Sequence, residues 1–296
     1  SEFTSSRLLR MNSDLQDAVP ARAVAACDTI GARMLADQLN GTAHRNALAC
    51  PVGLALALAT LRAGAADDGT GVDTMLGVNV DGNTQGRVRT WSTIQRNLQR
   101  LSIANNQARD RVWSAVQRSL RRFDVADAQQ LRDFDPEAIP EAPLLHIANN
   151  ILAIGDKTVI NQEYLDSAKR WYASDIGRVP NDDAKTALNA WAALHTGGLI
   201  KESGIDVTPD TRLVVQNALL FAARWAKHFN AAATAERQPF TRADGSTSHA
   251  DLMSRTGHFT FVTGPGWRAL RLPYVEGSGG SNKTTAGSST LAMDII

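Results

Sequence analysis

The sequence predicts an α+β fold, with helices packed around large mixed or antiparallel β-sheets. Segments with the 3.6-residue apolar spacing of helices dominate the first half of the chain, and β-rich segments dominate the second half. The two types do not alternate regularly, which argues against a parallel βαβ arrangement. The 296 residues are 43% hydrophobic, enough to bury a large core. We therefore expect a single domain over residues 1–296, with residues 1–19 flexible.

Helical patterns come first along the chain. Apolar side chains recur at helical spacing over residues 20–39, and residues 51–64 are apolar nearly all round, which predicts a buried helix. Pro51 suits the first position of that helix, and a glycine follows its last turn. Residues 65–86 follow as a polar stretch that is rich in Gly and Asp. Two more helices are predicted between residues 87 and 134.

The middle of the chain mixes strands and helices. Residues 144–154 form a short apolar run without helical caps and predict a central strand. Residues 162–172 and 182–194 predict helices, the second of them ended by Gly197-Gly198. Residues 213–221 predict a strand that is buried on both faces.

The last third of the chain predicts β-structure. Segments 258–262, 267–274 and 290–296 are rich in β-formers and are separated by turn sequences such as Asp244-Gly245 and 264–266. The final residues break off inside an apolar strand. We therefore expect this chain to be a C-terminally truncated part of a longer protein.

Composition excludes several classes of function. The net charge of +1 implies no general attraction to nucleic acid, and no run of about 18 apolar residues is present that could span a membrane. The six histidines are scattered without metal-ligand spacing, so we expect neither a metal nor a cofactor. Cys27 and Cys50 are too few for a disulfide framework and are interpreted as two buried thiols.

A series of segments matches, in order, the sequence pattern of one family. These segments are residues 46–52, 61–65, 147–152, 188–200, 214–229, 244–246, 253–257 and 272–274. The most informative is 214–229, which carries Asn, Ala, Phe, Trp and Phe at the family's spacing. The chain thus resembles the serpins over nearly its whole length, with one interruption between residues 66 and 143.

The resemblance implies a protease inhibitor and not an enzyme. Serpins expose a C-terminal loop as bait for a serine or cysteine protease, and the cleaved loop inserts into the central sheet as a new strand. That loop and two further strands of the sheet would lie beyond Ile296. Its partners would be the target protease and the remaining C-terminal segment of the same protein. We expect this chain alone to inhibit nothing.

The resemblance also implies residues that control the opening of the strands. The family places the asparagine matching Asn217 beneath that opening, and the tryptophan matching Trp225 where the loop begins to insert. Both also fit ordinary roles, as a hydrogen-bonded core amide and a core aromatic. Cys50 and Gly53 stand where serpins usually carry serines. Because cysteine is a poor helix cap, control of opening is expected to be looser or arranged differently here.

One basic segment suggests a polyanion such as heparin as a further partner. Between residues 86 and 122 the sequence carries nine arginines and one acid. Arginine pairs well with sulfate. The resemblance lapses in this region, and the sequence favours the plainer interpretation of a solvated helix face. The candidate residues are Arg109, Arg111, Arg118, Arg121 and Arg122.

Two rival functions stay open. A hydrolase is disfavoured because the sequence has no Gly-x-Ser-x-Gly, His-Glu-x-x-His or phosphate-loop motif. A non-inhibitory serpin that acts as a binding or storage module would share every motif above. The composition, rich in Ala, Arg and Asp and poor in Lys, suggests a GC-rich and so bacterial genome. The inhibitor interpretation favours an extracellular location, with a cytoplasmic one left open.

Overall fold

The structure is a computed structural model. It describes residues 2–40, 47–65, 70–78, 84–101, 143–275 and 291–296. These residues divide into two compact units, the first formed by chain segments 1–100 and 145–220 and the second by 101–144 and 221–296. The expectation of a single domain stays a prediction.

Four helices begin the first unit: α1 (Glu2–Leu39), α2 (Pro51–Arg62), α3 (Thr70–Met75) and α4 (Thr84–Leu101). The predicted helices at 20–39 and 51–64 are present, although α1 also runs on before Pro20. The flexibility expected of residues 1–19 stays a prediction. Helix α4 is the first of the two helices predicted between 87 and 134, and the second lies outside the described residues.

Helix α3 lies in the polar stretch 65–86, for which the sequence predicted no helix. A two-pronged ion pair holds it to the end of α2, with Arg62 Nε and Nη2 donating to the Asp73 carboxylate at 3.1 and 3.2 Å. Asp73 is buried. Such forked, charge-assisted pairs are among the stronger polar contacts in proteins. A helix fixed by a partner 11 residues away has no local sequence signal.

Strands and helices alternate in the rest of this unit, as β1 (Leu144–Ile154), α5 (Gln162–Tyr172), β2 (Ser174–Val179), α6 (Ala184–His195) and β3 (Leu213–Ala222). The predicted strands β1 and β3 and helix α5 are confirmed. Helix α6 is preceded by a short 3-10 turn that the prediction merged with it. Strand β2 was missed, because its glycine and charged residues lack an apolar β pattern.

The three strands form one sheet in the order β2-β1-β3. Strands β1 and β2 are parallel, with Asn149 opposite Ser174. Strand β3 runs the other way along β1, since Ile154 N–H donates to Arg212 O while Asn217 bonds to Ala148 O. The sheet is therefore mixed, as predicted.

Helices cover both faces of this sheet. On one face, Leu152 and Ile154 of β1 and Val214 of β3 pack against Ala184 and Leu188 of α6. Alternate residues point to the other face, since side chains of a strand alternate. There β1 contributes to the largest core cluster, together with α1, α2 and α4. The prediction that β3 is buried on both faces is half right: its α6 face is buried and its α2 face is half-buried.

Helix α2 is less enclosed than predicted. Gly53, Leu56 and Thr60 are buried, whereas the side chains of Leu54 and Leu61 are 37% and 45% exposed. One face of this apolar helix therefore lies in the core and another is open to solvent in the described chain.

The second unit is built from antiparallel strands. Strands β4 (Ala235–Thr241) and β5 (Thr247–Leu252) form a hairpin, and β6 (Thr260–Gly264), β7 (Trp267–Pro273) and β8 (Ala292–Ile295) form a sheet in that order. The three predicted β-segments correspond to β6, β7 and β8. For the hairpin, the sequence indicated only its turn at Asp244-Gly245. Helices and antiparallel or mixed sheets together confirm the predicted α+β class.

Candidate strand-opening site

Asn217 ties strand β3 to strand β1 through its side chain. Its Nδ2 donates hydrogen bonds to Ala148 O at 3.1 Å and to Asn149 Oδ1 at 2.8 Å. Residue 217 points to the α2 face of the sheet because β3 residues alternate between faces. The carboxamide thus adds two polar bonds to a strand pair beside the hydrophobic cluster that α1, α2, α4 and β1 form. The predicted need of this amide for hydrogen-bond partners is met.

Asn149 continues this polar network into the core. It is 1% exposed, and its Nδ2 donates to Tyr172 O at the end of α5, at 2.9 Å. Burial raises the pKa of the Tyr172 phenol, and the neighbouring Tyr164 raises it further, so the phenol stays neutral. Asn149 therefore links β3 through β1 to helix α5. In the sequence, Asn149 stands out only as part of the 147–152 motif, and its bridging role was not predicted.

Gly53 of α2 lies directly under the Asn217 carboxamide. A Cβ placed on Gly53 would lie 2.5 Å from Asn217 Oδ1, closer than carbon and oxygen can approach without a shift. The absent side chain at residue 53 is thus what lets the amide sit against the helix. The serine usual at this position in serpins would not fit this arrangement of Asn217.

Cys50 is the N-cap residue of α2, and its side chain makes no capping hydrogen bond. That agrees with the prediction that cysteine is a poor cap here. Its sulfur lies 3.1 Å from the Cβ position of Gly53, beside the same carboxamide. The interpretation of both cysteines as buried thiols is wrong for Cys50, which is exposed, and Cys27 is half-buried. Residue 50 is exposed because it precedes the buried part of the helix.

Trp225 belongs to the second unit. Its ring stacks on Tyr274, with centroids 4.6 Å apart, and meets the edge of Phe229 at 6.3 Å. Backbone bonds from Ala226 N to Pro273 O and from Val275 N to Arg224 O hold the two segments together around this stack. The structure thus brings Cys50, Gly53 and Asn217 together, while Trp225 joins an aromatic cluster. Its predicted role in loop insertion stays a prediction.

The proposed polyanion site cannot be placed. Arg109, Arg111, Arg118, Arg121 and Arg122 all lie outside the described residues, so this interpretation stays a prediction.

A polar cluster that the sequence analysis missed lies on the opposite face of the sheet. His146 Nε2 and His195 Nδ1 are 3.1 Å apart, and His195 Nε2 lies 3.2 Å from Asp175 Oδ2. Trp191 Nε1 donates to the same carboxylate oxygen at 2.8 Å. Burial lowers the pKa of His195, and Asp175 opposes that shift. The members of this polar cluster are scattered in the sequence. Only the packing of the sheet and α6 brings them together.

Neither a candidate metal site nor a membrane-spanning helix is found among the described residues. No group of three or more His, Cys, Asp or Glu side chains there could hold a metal ion. None of the helices in the described ranges combines the length and apolar character needed to cross a bilayer.

The fold and the candidate site together define a mixed sheet. Side-chain amides tie its end strand, β3, to β1, and helix α2 lies beneath them. A sequence profile described as "Serpin (serine protease inhibitor)" matches residues 25–285. The match covers well over half of the chain. The chain belongs to the serpin family.

Curated relatives match part of the chain. An uncharacterized serpin-like protein of Methanosarcina mazei is 28% identical over 42% of this chain and 30% of its own length. The leukocyte elastase inhibitor of Xenopus laevis is 33% identical over 45% of this chain and 37% of its own length. Since these relatives come from an archaeon and an animal, the bacterial origin suggested by composition stays a prediction.

Solved structures share the fold. Ovalbumin from the emu, Dromaius novaehollandiae, superposes with a TM-score of 0.67 at 18% identity, over 92% of this chain and 62% of its own. At that identity the likeness shows the fold alone. The chain spans less than two thirds of this structure and of the two curated relatives above.

Proposed function

We propose that the whole protein inhibits a serine-type protease by inserting its cleaved reactive loop as a strand beside β3. The observation that carries this proposal is the position of β3. Among the described residues it is the end strand of its sheet, tied on one side to β1 by Asn217. In the whole protein, a further strand expected beyond Ile296 would adjoin its other edge, and the two strands would part to admit the loop.

The physics of this proposal is strand addition. An unpaired strand edge presents a row of N–H and C=O groups that another extended segment can satisfy, and serpin loop insertion is itself a known example. On the α2 face of β3, Val215, Asn217 and Leu219 are half-buried. A neighbouring strand would bury them further, so insertion would gain both ladder hydrogen bonds and apolar burial.

The Asn217 network would hold β3 against β1 while the loop enters in this proposal. Two hydrogen bonds of the carboxamide, each contributing about 1 kcal/mol net, oppose separation of these two strands. The tight contact with Gly53 allows little motion toward α2. The Cys50 side chain adds no cap to α2. Control of opening would thus rest on side-chain amides rather than on the usual serines.

Relatives support this proposal at the level of the family. The Xenopus laevis relative carries the name of a leukocyte elastase inhibitor, so protease inhibition occurs among proteins similar to this one. In this proposal the target is a serine-type or cysteine protease, the reactive loop lies beyond Ile296, and the protein acts outside the cell. A polyanion partner through the arginines between 109 and 122 is part of the same proposal.

A non-inhibitory binding module is the alternative. The solved structures with this fold include non-inhibitory serpins, so the fold does not by itself imply inhibition. The two functions differ in whether cleavage of the loop is followed by rapid insertion.

A panel of serine and cysteine proteases incubated with the whole protein tests the proposal. We expect a complex with one protease that survives boiling in denaturant on a gel, at the summed mass of the enzyme and the inhibitor less the C-terminal peptide that cleavage releases. The present chain of 296 residues is the matched control and should form no such complex. Cleaved product without a complex, for every protease, would overturn inhibition and favour the binding module.

A further inference from the structure

A groove lies between helix α1 and helix α3 in the first unit. Its volume is about 540 Å³, which is within the range of small-molecule sites. One wall is a row of α1 residues at helical spacing, so these residues share a face of the helix. The other wall is α3 and the turn that follows it. The α1 wall includes Arg22, Ala26, Ile30 and Arg33, and the other wall includes Gly71 and Val78.

The floor of the groove is apolar and belongs to the core of the unit. Ile30, Ala26 and Val78 are 3%, 6% and 7% exposed, and all three are members of the main core cluster. Core packing therefore fixes the floor without any ligand. A preformed apolar floor favours binding, because little of the site has to become ordered when a ligand enters.

The two walls touch at one point and leave open space at another. Gly77, in the turn after α3, has a φ of 64°, and a Cβ placed on it would lie 2.8 Å from Arg22 O. The two backbones are therefore in contact there. A Cβ placed on Gly71 would have nothing within 4 Å. The groove thus has room for a ligand beside α3.

An arginine stands at each end of the α1 wall. Arg22 and Arg33 are both exposed, and their positions are about 16 Å apart along the helix. Neither guanidinium has an ion-pair partner among the described residues. The acid of α3, Asp73, is buried in its ion pair with Arg62. The groove therefore offers an apolar floor between two positive groups.

We propose that this groove binds a long-chain carboxylate, with its hydrocarbon chain on the apolar floor and its carboxylate on one of the two arginines. A guanidinium pairs closely with a carboxylate, and the floor removes CH₂ groups from water. Because an arginine lies at each end, the chain can lie in either direction. The site involves neither β3 nor the reactive loop, so it does not depend on protease inhibition.

Calorimetric titration of the full chain with dodecanoate, below the concentration at which micelles form, tests the proposal. We expect saturable binding of one molecule per chain. Decanoate and octanoate should bind more weakly, by about two- to fourfold for each CH₂ removed. Dodecylamine has the same chain and the opposite charge, and acetate has the charge without the chain. Each should bind at least about tenfold more weakly than dodecanoate.

Substitutions in the groove locate the binding. The double variant Arg22→Gln, Arg33→Gln should bind dodecanoate at least about tenfold more weakly, because the carboxylate loses its charged partner in both directions. Gly71→Leu should also weaken binding, because the new side chain takes up the open space. Arg242→Gln removes an exposed arginine of the second unit and should leave binding unchanged. Urea unfolding shows whether each variant is folded.

Three results would overturn the proposal. Dodecanoate binding that does not saturate would show that the groove is not a site. Equal affinity for dodecylamine or for acetate would show a contact that is only apolar or only ionic. Wild-type affinity in the double variant would place the ligand elsewhere, and Gly71→Leu decides this point if the double variant does not fold.

Discussion

Gly53 and Asn217 depend on each other at the centre of the site. The carboxamide can lie against α2 only because residue 53 has no side chain, and it holds β3 to β1 from that position. The sequence indicated both residues and the departure of Gly53 from serine, since motif spacing is visible in a sequence. It could not indicate the network through Asn149, because those hydrogen bonds connect residues 68 positions apart.

Replacing Gly53 by alanine tests this dependence. The added Cβ meets Asn217 Oδ1 at 2.5 Å, so we expect Gly53→Ala to lower the free energy of unfolding by about 1–3 kcal/mol. Gly71→Ala is the matched control, because a Cβ there has nothing within 4 Å, and it should be neutral or stabilise by about 0.5 kcal/mol. Urea unfolding of both variants measures the difference.

A double-mutant cycle locates the effect at Asn217. In an Asn217→Ala background the Oδ1 atom is gone, so Gly53→Ala should cost about 1 kcal/mol less than in the wild type. Asn217→Ala alone should lower stability, because it removes two hydrogen bonds. Additive effects of the two substitutions would contradict the contact.

The histidine cluster predicts how stability depends on pH. Burial lowers the pKa of His195 below its ordinary 6.5, so the folded chain binds a proton there less readily than the unfolded chain. The contribution of His195 is therefore fully present above about pH 6.5 and is lost as pH falls toward the folded pKa. Urea unfolding at about pH 7.5 and about pH 5.5 should show lower stability at the acid pH.

Substitution isolates the part of this effect that belongs to His195. The loss of stability on acidification should be smaller in His195→Gln. His258 is exposed, so His258→Gln is the control and should leave the loss of stability on acidification unchanged. An identical loss in wild type and His195→Gln would show that other groups cause it.

At the scale of elements, α6 owes its sharp end to Thr196. The Thr196 hydroxyl donates to Ala192 O at 2.7 Å and accepts from Ile200 N–H at 3.0 Å. Gly197 and Gly198 follow with φ values of 64° and 87°, which glycine adopts without strain. The sequence indicated this end through its glycines alone.

Two threonines of this region allow a matched comparison. Thr196 is 2% exposed, so Thr196→Ala should lower the free energy of unfolding by about 1–3 kcal/mol through its lost hydrogen bonds. Thr186→Ala makes the same chemical change at an exposed position of α6 and should stay within about 0.5 kcal/mol of wild type. Thermal or urea unfolding tests both. Equal effects would show that Thr196 has no special role.

Elements with strong local patterns were predictable, and those fixed by distant partners were not. Apolar runs and turn residues predicted α2, α5, β1 and β3 nearly to their ends. Strand β2 forms because β1 offers an edge for pairing, from Asn149–Ser174 to Ile154–Val179. The edge of β1 that orders β2 leaves no signal in the sequence of β2. The Arg62–Asp73 ion pair that holds α3 likewise leaves no signal in the sequence of α3.

At the scale of the whole molecule, the layering of the first unit explains its proposed function. Helix α6 covers one face of the sheet, and α2 lies under β3 on the other, so β3 is supported from both sides. Its outer edge is the one open direction among the described residues. In the proposed function the loop joins β3 at that edge, once the further strands expected beyond Ile296 part from it, and both helices keep their core contacts. The motif order predicted this family, while the layers became visible only in the structure.

Thermal unfolding of the whole protein, before and after a single cleavage in its reactive loop, tests the central claim most directly. If the freed loop inserts beside β3, new ladder bonds and buried side chains must raise the unfolding temperature, by more than about 5 °C. Cleavage at another exposed site serves as the control and should lower the unfolding temperature or leave it unchanged. An unfolding temperature that does not rise after loop cleavage would contradict the claim that β3 accepts a further strand.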